Sequence, residues 1–284
     1  MPWFKGNFHT HTTRSNDGKA TPQEVCDWYR ERGYDFLALT DHDHLADEKD
    51  WQTPDDFLVI RGVEVSGNHL VGLDITQAPD KRLPIQEKID LILQQGGFCI
   101  AAHPNWQFDH WPLQLLEKSV GYLAIEIFNT HVSVLEGSGY ALDKWDKLLS
   151  QGRRVWGVAS DDAHNPLGGL AARGWVIVSA PKLSLPDLRK SFEQGDFYAS
   201  TGVELESLEI GANQIRITVH SAEEILFIGQ EGKILERVRG SNAVYSVRGD
   251  EQYIRTECHG LNGAAYTQPE FLSSWRPREL PIHK

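Results

Sequence analysis

The chain has 284 residues, 40% of them hydrophobic and 24% charged. That describes a soluble globular protein long enough for a sizeable core, as one large domain or one domain with a small appendage. Its net charge of −12 disfavours binding to long nucleic acid or an anionic membrane.

No segment approaches the ~18 uninterrupted apolar residues of a membrane span. Cys26, Cys99 and Cys258 lie far apart without C-x-x-C spacing, which suits a reduced compartment. With no basic leader before an apolar run, a cytoplasmic protein is expected. In chain order, residues 3–8 read as a short strand running into His9. Thr21, Pro22 and Glu24 make a capping box with proline at the first helical position, so a helix runs to about Arg32 and stops at Gly33. Apolar runs predict strands over 36–39, from 57–60 leading to Glu64, and over 70–73. Residues 84–95 have helical periodicity (Ile85, Ile89, Ile92, Leu93) and end at Gly96-Gly97. Strands follow over 98–102 and 123–128, a helix over 140–150, strands over 154–159 and 175–179, and a helix over 185–194 that ends at Gly195. This β–α alternation predicts a largely parallel sheet or barrel. From about Val203 only short strands are expected, over 214–220, 224–229, 233–238, 243–248 and 252–258. They imply a small all-β appendage over about 203–275 and then a loose tail.

His9, His42, Glu64, His103 and Asp162 all fall at or just past the C-terminal end of an expected strand, the edge on which parallel α/β folds build their sites. His9 and His11, one residue apart on an extended chain, put both imidazoles on one face. Asp162 and His164 repeat the spacing with a carboxylate first. Such a His/carboxylate set suits Mn²⁺, Fe²⁺ or Zn²⁺, and the lack of thiolates argues against a structural zinc cage. Glu64 can bridge two ions, and two adjacent ions can activate a shared water for in-line displacement. Taken singly, the H-x-H and D-x-H pairs are more often surface or structural, and Thr40 to His44 and His103-Pro104 fit a solvated loop or a capped strand end equally well; together they define a metal site.

These residues resemble the PHP (polymerase and histidinol phosphatase) superfamily. Its first motif corresponds to His9-Thr10-His11 through Asp17-Gly18, its second to Leu39-Thr40-Asp41-His42-Asp43. Gly62-Val63-Glu64 and His69 follow, then Ala101-Ala102-His103-Pro104 and Ser160-Asp161-Asp162-Ala163-His164, all in family order across about residues 4–202. One departure is an extra residue, Asn16, ahead of Asp17. The resemblance implies an α/β fold, a distorted TIM-like (β/α)7 PHP barrel with a small C-terminal all-β domain, divided at 1–202 and 203–284. It implies two or three divalent ions held by His9, His11, Asp17, His42, Glu64, His69, His103, Asp162 and His164, with Glu64 as the bridge. The D-x-H spacing favours Asp162 over Asp161, which is open to a role orienting a ligand from behind. The segment from Gly195 to Gly202, and Gly263 to Pro269, are similar to a branch that includes carbaryl-hydrolase-like metalloenzymes.

Three further residues are candidates for substrate contact or catalysis. Arg14 lies inside the first motif and suits bidentate phosphate recognition, Arg173 follows the Gly168-Gly169 loop, and His131 follows a strand end at Asn129 as a substrate contact or general acid. Trp106 and Trp111 flank the loop after His103, either packed on the barrel or stacking on a substrate ring. His220, His259 and His283 receive no role. The expected activity is hydrolysis of a small phosphomonoester or nucleotide-type phosphodiester by a metal-bridged hydroxide. The rivals are carbamate, ester or amide hydrolysis by the same cluster, and a non-catalytic binding module stabilised by metal. The expected partner is a small substrate, with no long nucleic acid and no membrane.

Overall fold

The computed structural model describes residues 1–107 and 111–281. Strand β1 (Trp3–Asn7) leads to helix α1 (Pro22–Arg30), which begins at the anticipated capping box. Thr21 N–H donates to Glu24 at 2.8 Å and Glu24 N–H donates to Thr21 Oγ1 at 3.3 Å, a cap contributing about 1 kcal/mol. Strands β2 (Phe36–Leu39), β3 (Leu58–Val65) and β4 (Leu70–Leu73) follow. β2 and β4 are buried throughout, which explains their unbroken apolar sequences. Next come α2 (Ile85–Gln94), β5 (Phe98–Ala101), α3 (Leu113–Lys118), β6 (Ala124–Asn129), α4 (Thr130–Glu136), α5 (Leu142–Ser150), β7 (Trp156–Ser160), β8 (Trp175–Ser179), α6 (Leu185–Gln194) and β9 (Phe197–Ser200). The remaining strands are β10 (Glu204–Ile210), β11 (Gln214–His220), β12 (Glu224–Ile228), β13 (Ile234–Arg239), β14 (Asn242–Ser246), β15 (Tyr253–Gly260), β16 (Gly263–Thr267), β17 (Glu270–Phe271) and β18 (Arg278–Pro281).

One large mixed sheet runs in the order β13-β12-β15-β16-β9-β8-β1-β2-β3-β4-β5-β6-β7, with β17 paired to β15. β1, β2 and β3 are parallel, as are β5, β6 and β7. β4 runs antiparallel to both of its neighbours, and β8 antiparallel to β1 and β9, so this sheet is mixed where the β–α alternation predicts largely parallel pairing. For β4 the cause is linker length. Residues 66–69 are too few for a crossover, so β3 and β4 can only form a hairpin. Thr10, after β1, bridges Ala163, after β7, in parallel, which draws the two parallel groups together at their C-terminal edge.

A second sheet has the order β14-β11-β10-β18. The sequence pattern misses β10 because a bulge between Leu205 and Ser207 shifts its period-two alternation. It also misses β18, which pairs along β10, so the expected loose tail is an ordered strand as far as residue 281. His283 lies outside the described residues. The large sheet continues past Gly202 through the β9–β16 pairing. Gly202 has φ 149°, and a Cβ there would sit 2.0 Å from Asn262 O, so only glycine fits this crossing. Among the described residues no helix is long and apolar enough to cross a membrane. The three cysteines are buried and unpaired.

Candidate metal centre

The parallel strands deliver their C-terminal ends to one place. His9 follows β1, His42 follows β2, Glu64 lies near the end of β3, His103 follows β5 and Asp162 follows β7. His69 ends the β3–β4 hairpin turn, and Asp17 and His164 come from the loops after β1 and β7. All nine predicted ligands meet in one cluster.

Glu64 is at its centre, fully buried. Its Oε1 lies 2.8 Å from His69 Nδ1 and 3.0 Å from His103 Nε2. Its Oε2 lies 2.9 Å from His42 Nδ1 and 3.3 Å from both His9 Nε2 and His11 Nε2. Asp162 Oδ1 approaches His11 Nε2 at 3.0 Å and His9 Nε2 at 3.4 Å. Asp17 Oδ2 stands 3.4 Å from His42 Nε2 and 3.3 Å from His164 Nε2, so the extra Asn16 does not carry it away from the cluster. Three sets of converging donor atoms result: His9, His11, Glu64 and Asp162; His42, Glu64 and His69; and His11, His42 and His164.

These contacts are not a completed hydrogen-bond network. Glu64 Oε2, Asp162 Oδ1, His42 Nδ1 and His103 Nδ1 are buried without a hydrogen-bond partner. Four such atoms in one buried cluster are costly unless something else satisfies them. His9 Nε2 and His11 Nε2 also face each other at 3.2 Å, lone pair towards lone pair when each ring carries its proton on Nδ1. Hard carboxylates and borderline imidazoles fit divalent cations, and Glu64 offers oxygens to more than one set. The electrostatics agree. Burial pushes the Glu64 carboxyl up, but the charges of His9 and His69 outweigh it and hold it well below the usual range. Burial lowers His42, yet Glu64 and Asp17 bring it to about 9. A field that holds protons on these rings favours divalent cations in their place.

Residues behind the cluster fix its rings. His9 Nδ1–H donates to Glu126 at 2.7 Å, which leaves Nε2 for the cluster. Glu126 also accepts from His103 N–H at 2.7 Å, from Asn129 at 2.8 Å and from Ser160 Oγ–H. Nothing in the sequence reading singled out Glu126; its signal was a lone carboxylate inside the apolar strand β6, where every residue is buried. His11 Nδ1–H donates to Ser15 Oγ at 3.1 Å, and Ser15 donates on to Asp41 at 2.8 Å. Asp161 orients no ligand ring. It accepts from Tyr29 and from the backbone N–H groups of Ala172, Arg173 and Gly174, which fixes the approach to β8. His69, His103 and Asp162 have φ values of 46°, 28° and 51°. Left-handed backbone at non-glycine residues costs on the order of 1–3 kcal/mol each and concentrates at functional sites.

The other predicted residues divide. His131 lies in the first turn of α4, which Asn129 caps by accepting from Val132 N–H, and its ring stacks on His164 at 4.3 Å. Burial lowers its pKa from the ordinary imidazole value. Arg14 lines a cavity of about 440 Å³ together with Asp17, His42 and His69, but Asp50 already holds its guanidinium. Arg173 has an exposed side chain, and among the described residues only its backbone N–H engages a neighbour of the cluster, Asp161. Trp111 is buried, its indole N–H donating to His69 O at 3.1 Å. Trp106 meets His69 and His103 edge-on at 5.2 and 5.0 Å. A larger cavity of about 740 Å³ beside Trp3 and Tyr198 contains none of the converging donor atoms.

The fold has a counterpart among solved structures. A two-domain protein from Bacteroides vulgatus containing a predicted PHP-like metal-dependent phosphoesterase is similar at a TM-score of 0.57 and 16% identity, over 98% of this chain and 95% of that one. The lesion-specific endonuclease PfuEndoQ from Pyrococcus furiosus is similar at a TM-score of 0.49 and 13% identity, over 68% of this chain and 56% of that one. By sequence, an uncharacterized protein of Methanocaldococcus jannaschii is 27% identical over 116 residues, which cover 36% of this chain and 68% of that protein. No family model matches the chain.

Proposed function

We propose that this protein is a metal-dependent phosphoesterase acting on a small phosphomonoester or a nucleotide-type phosphodiester. The observation that carries this reading is the divided carboxylate of Glu64, whose two oxygens face separate histidine sets while Oε2 and Asp162 Oδ1 have no hydrogen-bond partner. His9, His11, His42, His69, His103, His164, Asp17, Glu64 and Asp162 would hold two or three ions of Mn²⁺, Fe²⁺ or Zn²⁺. When bound, these ions supply Lewis-acid charge that offsets the negative charge developing on the phosphoryl oxygens. Glu126, Ser15 and Asn129 hold the ligand side chains in register, so little reorganisation accompanies reaction. His131, stacked on His164, is the candidate substrate contact or general acid.

The same reading treats residues 1–202 as a (β/α)7-type barrel and 203–284 as a β appendage that braces it, and places the protein in the cytoplasm. The looser resemblance to the carbaryl-hydrolase-like branch rests on the segments Gly195 to Gly202 and Gly263 to Pro269. The test is orthophosphate release from phosphomonoesters, nucleotides and dinucleotides by Mn²⁺-loaded protein, with His11→Ala as control. Release that vanishes in the control supports the reading. No release by metal-loaded protein sinks it and turns attention to carbamate, ester or amide substrates.

A further inference from the structure

Two basic side chains line the cavity beside the cluster, and they are held differently. Arg14 is clamped by Asp50: Nε donates to one carboxylate oxygen at 2.9 Å and Nη2 contacts the other. This fork-on-carboxylate pairing is a strong one. Lys81, in the segment joining β4 to α2, makes a single contact with Asp43 Oδ2 at 2.9 Å, and its side chain is more than half exposed. Exposed single-contact pairs of this kind contribute little.

Asp43 does not depend on Lys81. It accepts from Ser66 N–H at 2.9 Å and from Ser66 Oγ–H at 2.7 Å. Ser66 is held from below by Lys88, a buried ammonium donating to Ser66 O at 2.7 Å. Lys81 can therefore leave Asp43 without stranding a carboxylate, whereas Arg14 gives up two contacts if it moves. Asp43 directly follows His42, so the Lys81 ammonium stands beside the cluster, on a flexible stem able to reach an anion in the cavity.

We propose that Lys81 is the cation that recognises the phosphate dianion of a monoester in this cavity, exchanging Asp43 for the non-reacting phosphate oxygens. The inference rests on the phosphoesterase reading and narrows its substrate to monoesters. A dianion gains more from an added cation than a singly charged diester does. A cavity of about 440 Å³ suits a small molecule of this class.

The test uses full-length Mn²⁺-loaded protein with Lys81→Met and Lys81→Arg. Turnover is read with p-nitrophenyl phosphate and bis(p-nitrophenyl) phosphate, and orthophosphate binding by calorimetry. Lys81→Met is expected to raise KM for the monoester about tenfold or more, with kcat and the diester KM changed less than about threefold. Lys81→Arg is expected to restore most of the monoester KM. An unchanged monoester KM in Lys81→Met, with the wild type active, overturns the Lys81 assignment and leaves the phosphoesterase reading standing. Equal losses on both esters overturn the monoester preference. If the wild type hydrolyses neither of these esters, the wider panel of phosphomonoesters, nucleotides and dinucleotides judges the phosphoesterase reading and orthophosphate binding judges Lys81. Weaker binding by Lys81→Met supports anion recognition, and equal binding overturns it.

Discussion

Two parts of this molecule bury several charges, and they differ in whether those charges satisfy one another. Behind α5, Arg255 is buried and donates to Asp146 through Nε at 2.8 Å and Nη2 at 2.7 Å, and to Glu257 through Nη1 at 2.6 Å. Tyr253 completes Asp146 at 2.9 Å, and His259 lies 2.9 Å from the other Glu257 oxygen. At the strand ends the geometry is open: Glu64 Oε2, Asp162 Oδ1 and His42 Nδ1 lie within converging sets of donor atoms and have no hydrogen-bond partner. The closed network is a joint between α5 and β15. The open one needs a further component, and its donor atoms identify that component as cationic. Burial of charge alone does not mark a functional site; unsatisfied atoms gathered among converging imidazoles and carboxylates do.

The contrast can be broken most forcibly at Glu64. Glu64→Gln keeps the volume but removes the shared charge, and activity is expected to fall on the order of 10³-fold or more, with melting in the presence of chelator little changed. In the closed network the pattern reverses. Arg255→Met is expected to cost about 3–5 kcal/mol in denaturant unfolding, because Asp146 stays buried without its partner, while activity per folded molecule is retained. Asp146→Leu added to Arg255→Met should recover part of that loss; a double variant no more stable than the single would contradict a self-contained pair. Glu126→Gln should lower metal affinity by about 10–100-fold without abolishing binding, as expected of a group that orients His9 rather than holding the ion.

The smallest effect is a pH dependence in the closed network. Burial raises Glu257, but His259 and Arg255 bring it below its ordinary 4.5. A depressed folded value means its stabilisation is present above about pH 4.5 and lost as pH falls through the folded value. The stability gap between the wild type and Glu257→Gln should therefore narrow between pH 6 and pH 3. A gap that widens on acidification would reverse the sign.

Much of the open site was legible because metal ligation requires particular residue types at strand ends, and those leave spaced motifs. His9/His11 and Asp162/His164 are visible in this way, as are the apolar strands that position them. Glu126 was not, since a single carboxylate in a buried strand has no periodic signature and its role depends on a ring 117 residues away in sequence. Arg14 suited phosphate by its place in the motif, but its engagement with Asp50 arises from a loop 36 residues distant. The same limit hid Lys81. In the fold, β10 escaped because its bulge breaks alternation, and the antiparallel β4 because direction follows from linker length rather than composition.

The most direct test of the central claim is a metal count on dialysed protein reconstituted with Mn²⁺, comparing wild type with Glu64→Gln by elemental analysis and titration calorimetry. The wild type is expected to retain two or three ions per chain, and Glu64→Gln to lose at least one of them. A wild-type protein that retains no more metal than Glu64→Gln would show that the converging atoms of the strand-end cluster are not a cation site.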